Sequence, residues 1–282
     1  MPPSVAIVTD STAYLPEESV SRLGITVVPL QVVVGGRGLD DVAQIDGAGM
    51  NDALGEWAPV TTSRPAPQRF ADAYEAAAAR GATGIVSIHL SGEMSGTVEA
   101  ARAGAEDSLV PVEVIDSASI AMGLGFPVLA AAEAAARGAT RTEAADAARR
   151  RMKETRSFFY VDTLEHLRRG GRIGAAATLL GSALRTKPLL HIADGVIVPL
   201  EKVRTASRAI ARLEDLAVQA AGNGPVDIAV QHLAAEDRAR AMAARLPQRV
   251  PGLVSVTVVE VGAVIGAHVG PGMLGLTVSP HR

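Results

Sequence analysis

The chain reads as an α/β protein of two domains: an N-terminal, mostly parallel sheet covered by helices on both faces, and a C-terminal mixed-sheet α/β domain. Three observations predict this. Over residues 1–155 short apolar runs alternate with Ala-rich helical segments, the pattern of buried parallel strands joined by helical crossovers. Over 156–282 the strand-like runs lie closer together, and Ala193-Asp194-Gly195 signals a hairpin between antiparallel strands. The 282 residues are 48% apolar but only 3% aromatic, so an ample core must be built from Ala, Val, Leu and Ile.

The first half opens with the apolar run Val5-Ala6-Ile7-Val8, a buried strand, followed by the turn Asp10-Ser11-Thr12. Residues 25–34 are rich in β-branched side chains but interrupted by Pro29, which cannot donate to a ladder, so they read as one or two strands. The glycine-rich stretch Gly35 to Gly55 reads as irregular. Residues 70–80 form an Ala-rich helix stopped at Gly81. Strand 84–88 leads into the turn Ser91-Gly92-Glu93-Met94, and a helix opens at Ser95 with good helix formers behind it. A strand at 112–115 and two helical stretches between residues 123 and 153 complete this half.

In the second half Ser157-Phe158-Phe159-Tyr160-Val161 is a strand, followed by a helix-like segment and the polar turn Arg168-Arg169-Gly170-Gly171-Arg172. Strands are predicted at 188–192, 196–200, 226–231, 254–261 and 274–279, with helices at 207–221 and 235–245. The domains are set at 1–155 and 156–282, with a ligand site between them.

Composition excludes several functions. A net charge of −3 leaves no basic footprint for nucleic acid. No apolar run reaches membrane-spanning length, and Met1-Pro2-Pro3-Ser4 leads straight into a strand without a signal peptide, so no stable membrane insertion is expected. The absence of cysteine rules out disulfides and thiolate metal sites and fits a cytoplasmic protein. The six histidines lack tight metal-ligand spacing, so no metal is expected. There is no G-x-S-x-G elbow, no G-x-x-x-x-G-K-[ST] loop and no G-x-G-x-x-G after the first strand.

What remains is a set of hydroxyl-rich loops. Parallel sheets bind ligands beyond the carboxyl ends of their strands. Four such loops are Asp10-Ser11-Thr12, Thr61-Thr62-Ser63-Arg64-Pro65, residues 91–97 and Asp116-Ser117-Ala118-Ser119. Each alone is ordinary turn chemistry; four on one edge suit a carboxylate or phosphate. Ser95 either caps its own helix or offers its hydroxyl to an anion. His268, within Gly266-Ala267-His268-Val269-Gly270-Pro271-Gly272, is either a sparsely packed turn histidine or a site residue. Arg172 is either a solvated turn residue or a partner for an anion, and Arg204 sits in a surface charge run. A Ser95/His268 pair is a possible nucleophile and base.

These residues carry a resemblance. Val8-Thr9-Asp10-Ser11-Thr12, Thr62-Ser63-Arg64-Pro65, Ser95-Gly96-Thr97, Val114-Ile115-Asp116-Ser117, the run from Leu167 to Ile173, Lys187-Pro188, Lys202-Val203-Arg204-Thr205 and the segment around His268 stand in an order and spacing that resemble the DegV-like fatty-acid-binding proteins. That class includes the lipid-carrying subunit of bacterial fatty acid kinase. The resemblance runs from about residue 4 to residue 279. It implies a two-domain protein without catalytic activity or cofactor that holds a long-chain fatty acid such as palmitate and presents it to the ATP-binding subunit of a kinase. It assigns the carboxylate to Thr62, Ser95, His268 and Arg172, and partner docking to Arg204. Arg64 stands where the family usually has Gln, Ala66 where it has Ser, and Met94 where it has Leu. Burying about fourteen methylenes at ~0.8 kcal/mol each supplies roughly 11 kcal/mol before association costs. The expensive end is the carboxylate, which must find donors. The rival readings are a Ser95/His268 acyl hydrolase or transferase, a ketose-type phosphotransfer subunit, and a lipid sensor without a kinase.

Overall fold

The computed structural model describes residues 4–34, 37–41, 60–179 and 186–281. Most of the stretch from Gly35 to Gly55, and Met1 to Pro3, lie outside these residues. The strands in chain order are β1 (Val5–Asp10), β2 (Thr26–Val28), β3 (Gln31–Val34), β4 (Arg37–Asp40), β5 (Val60–Ser63), β6 (Gly84–His89), β7 (Val112–Asp116), β8 (Arg156–Tyr160), β9 (Lys187–Ala193), β10 (Val196–Val203), β11 (Val226–His232), β12 (Leu253–Glu260) and β13 (Leu274–Pro280). The described α-helices are α1 (Glu17–Leu23), α2 (Pro67–Ala79), α3 (Thr97–Ala105), α4 (Met122–Ala136), α5 (Arg141–Glu154), α6 (Glu165–Arg169), α7 (Ala206–Ala221), α8 (Glu236–Arg249) and α9 (Ala263–Val269).

The chain divides into two compact units, Met1–Gln31 with Ser63–Lys153 and Val32–Thr62 with Glu154–Arg282. The first unit is a four-stranded parallel sheet in the order β2-β1-β6-β7. Its two central strands, β1 and β6, are largely buried because helices cover both faces. Val8 and Ile85 pack with Phe70, Tyr74 and Ala77 of α2 and Ala100 and Ala101 of α3. The alternate positions Ile7, Val86 and Ile88 point to the opposite face, where α4 packs on β1 and β6. Helix α1 escapes apolar periodicity because none of its residues is buried; its signals are Glu17 and Glu18 in the first turn and Gly24, at φ +62°, closing it.

The second unit holds a six-stranded sheet ordered β10-β9-β8-β13-β11-β12, antiparallel except for the β11–β12 pair. Asp194 and Gly195 adopt φ +48° and +80°, the left-handed pair that a two-residue hairpin between β9 and β10 demands. Leu213 and Ala217 of α7 and Met242 and Leu246 of α8 pack on Ile228, Val230, Leu276 and Tyr160. The helices are pinned by buried Glu214, which accepts from Arg245 and, at 3.1 Å, from Arg249. Strands β4, β3 and β5 form a separate three-stranded sheet. Among the described residues no helix is long and apolar enough to cross a membrane.

Candidate functional site

In the first unit the carboxyl ends of β1, β6 and β7 come side by side, since Thr9 pairs with Ile88 and His89 with Asp116. Two carboxylates there grip the loop that leaves β6. Asp10, fully buried, accepts from the Thr12 backbone N–H at 3.0 Å, the Thr12 hydroxyl at 2.5 Å and the Leu90 backbone N–H at 3.0 Å. Its Oδ2 also lies 3.0 Å from Nδ1 of buried His89. An Nδ1–H donated to Asp10 leaves Nε2 to accept from the Ser87 hydroxyl at 2.7 Å, which in turn accepts from Tyr74 at 2.8 Å. Burial pushes the Tyr74 phenol up to about 12, so it stays a donor, although its bond to Ser87 works the other way. Asp116 accepts from Gly92 at 3.1 Å and Ala118 at 2.8 Å.

The helix after this loop opens at Thr97 rather than at Ser95. Gly96 is its N-cap, and no side chain caps it. The Ser95 hydroxyl does not bond the helix backbone; it lies 2.8 Å from the hydroxyl of buried Thr97. The turn is instead closed by backbone, with Met94 and Ser95 N–H groups donating to the Ser91 carbonyl at 3.0 and 3.1 Å. The capping reading of Ser95 is thereby corrected, for a geometric reason. The hydroxyl sits two residues ahead of the first helical residue, outside the N-cap position from which a side chain reaches the first-turn N–H groups.

In the second unit His268 and Thr62 meet across 206 positions of sequence: Nε2 lies 3.0 Å from the threonine hydroxyl. His268 is not in a sparsely packed turn. It occupies the last turn of α9, whose flanking residues Val264, Ile265, Gly266 and Val269 are buried. Its ring lies against Gly170, where a Cβ would collide with Nδ1 and Cε1. The reciprocal contact joins His166 to Gly270, whose φ of +74° and proximity to the His166 ring both require glycine. Two glycines and two histidines thus interlock the turn after α6 with the end of α9.

Desolvation, and secondarily the positive charge of Arg172, push His268 down to about 4, so its imidazole is neutral at pH 7. Among the described residues its Nδ1 has no hydrogen-bond partner. Arg172 is exposed and folds its guanidinium onto the Gly170 carbonyl at 2.7 Å, which holds it beside the turn that carries the imidazole. Arg204 is exposed at the bend before α7, where Thr205 caps the helix by accepting from the Arg208 N–H.

The structure thus brings Thr62 and His268 together, ties Arg172 to the Gly170 carbonyl, from where its charge acts on His268, and places Ser95 in the other unit. Sequence reasoning missed His166, Gly170 as the seat for His268, and the Asp10–His89–Ser87–Tyr74 chain. A buried apolar run containing Ser87 and His89 was the available signal for the last, since polar side chains at alternate positions of one buried strand must find partners. Among the described residues no cluster of three or more metal-ligating side chains occurs.

Comparison with known proteins bears on this geometry. The family model DegV, described as "Uncharacterised protein, DegV family", matches residues 4–281. A DegV domain-containing protein of Streptomyces coelicolor is 60% identical over 275 residues, 98% of each chain. A solved DegV family protein from Thermus thermophilus, described by its fatty acid binding, superposes with a TM-score of 0.93 at 32% identity, covering 99% of this chain and 100% of its own. The structure of DegV from Bacillus subtilis, described as a fatty acid binding protein, gives 0.90 at 33% identity and covers 99% of each chain. Sequence, fold and family model agree: the chain belongs to the DegV family.

Proposed function

We propose that this protein binds a long-chain fatty acid through its carboxylate, with Thr62, Ser95, His268 and Arg172 as head-group contacts. It then presents that carboxylate to a separate ATP-dependent kinase subunit docking at Arg204, in the cytoplasm. The observation that supports this most is the Thr62–His268 pair, a hydroxyl held at 3.0 Å by a neutral imidazole with a guanidinium nearby. Fatty acid binding described for two solved relatives at 32% and 33% identity favours the same ligand class.

The proton inventory defines how the pair works. For Thr62 to donate its hydroxyl proton to a carboxylate, its oxygen must accept from His268, which places the imidazole proton on Nε2. A neutral ring can hold that tautomer; an imidazolium would need an acceptor at Nδ1, where the described residues offer none. Arg172 then supplies charge, and Ser95 a second rotatable hydroxyl. The hydrocarbon tail provides affinity, at ~0.8 kcal/mol per buried methylene.

Two substitutions test the assignment. Thr62→Ala and Ser95→Ala are each expected to weaken palmitate binding to delipidated protein by about tenfold, the worth of one charge-assisted hydrogen bond. Melting temperatures should stay unchanged. A double-mutant cycle reports whether both hydroxyls serve one carboxylate. Full affinity in both single variants would overturn the head-group assignment. The acyl hydrolase reading gains no support from the hydroxyl partners, since Ser95 bonds Thr97 and His268 bonds Thr62. Acyl-ester turnover abolished by Ser95→Ala would restore it.

A further inference from the structure

We infer that Arg64 is a specificity-determining residue of the head-group site, favouring a doubly charged acyl phosphate over a carboxylate. The inference rests on the fatty-acid reading above and concerns which charge state of the ligand is held best.

The geometry is local to the first unit. Strand β5 ends at Ser63, and the buried Pro65 two residues later fixes the path into α2. A residue before proline is confined to extended backbone, so Arg64 is held at a set angle while its side chain stays exposed. That side chain lies over Gly96. A Cβ on Gly96 would stand 2.5 Å from Arg64 Nη1, 3.1 Å from Cδ and 3.4 Å from Cζ, so the guanidinium rests along the glycine backbone. Gly96 is flanked by Ser95 and Thr97 and is the N-cap of α3. Glycine here admits the cation to the hydroxyl turn.

Among the described residues Arg64 has no ion-pair or hydrogen-bond partner. At the Gly92 end of the same turn Asp116 accepts backbone N–H groups and Glu99 lies 3.8 Å from Arg102. A planar guanidinium matches phosphate oxygens two at a time, and its attraction grows with ligand charge. A neutral amide at this position would lose both. Arg64 would therefore help retain the acyl phosphate after the kinase acts.

The test compares three sixteen-carbon ligands on delipidated wild type and Arg64→Gln: hexadecylphosphonate at pH 8.5 as the dianion, palmitate, and uncharged hexadecanol. Arg64→Gln is expected to weaken phosphonate binding about fivefold to tenfold and palmitate about twofold, a range set by a partly solvated charge pair, and to leave hexadecanol unchanged. Raising NaCl from about 50 to about 500 mM should collapse the wild-type phosphonate preference to that of the variant. Equal phosphonate-to-palmitate ratios in both proteins would overturn the role of Arg64 while leaving fatty acid binding intact. Failure of wild type to bind any of the three would overturn the fatty-acid reading instead.

Discussion

His268 carries a pH dependence that can be read from its surroundings. Its ordinary value of 6.5 falls to about 4 in the fold, because burial and Arg172 disfavour the imidazolium. Between those values the unfolded chain binds the proton and the folded one does not. The stabilisation is therefore present above pH 6.5 and is lost as pH falls towards 4, by about 2–3 kcal/mol. Burial lowers His166, His191 and His232 as well, so their contributions also decline as pH falls below 6.5. Urea unfolding at pH 7 and 4.5 should show a smaller loss for His268→Gln than for wild type; identical losses would contradict the assignment. Gly170→Ala tests the seat itself. An added methyl collides with the His268 ring, and about 1–3 kcal/mol of overpacking is expected, with fatty acid affinity falling alongside stability. A variant as stable and as tight as wild type would show that the ring has room to move.

Elements differ in how far they announce themselves. Strands β1 and β6 were legible because burial keeps the stretches Val5 to Val8 and Ile85 to Val86 apolar at successive positions, with polar side chains confined to the later residues. Helix α9 was not, because seven residues flanked by Gly262 and Gly270 mimic a turn until tertiary packing fixes them. The start of α3 was read two residues early, since a serine before helix formers has the composition of a cap whether or not it caps. The loop between β6 and α3 owes its shape to Asp10, which sits a strand away and is invisible to local pattern. Asp10→Ala strips the Thr12 and Leu90 N–H groups and His89 of their acceptor, and about 3–5 kcal/mol of destabilisation is expected. Chemical denaturation checks this, and a loss below about 1 kcal/mol would mean that water replaces the carboxylate.

At the scale of the molecule, the two-domain α/β class and the mixed second sheet followed from run length and hairpin spacing. The grouping of Val32–Thr62 with the second unit did not, because no linker-like composition marks where the chain crosses. That crossing brings Thr62 to His268, so the pairing was out of reach of local reasoning. The resemblance supplied both residues by motif, and the fold supplies the bond between them. Docking belongs to this scale too. Arg204→Ala should leave palmitate affinity within twofold of wild type while lowering phosphorylation by a cognate kinase subunit at least tenfold, as loss of a rim charge does to encounter with a partner. Equal turnover would remove Arg204 from the interface.

The most direct measurement is denaturing mass spectrometry of the purified protein, followed by palmitate titration of the delipidated chain. A co-purifying fatty acid and saturable one-to-one binding that weakens in Thr62→Ala are the expected results. Protein that emerges lipid-free and takes up no fatty acid would contradict the proposal.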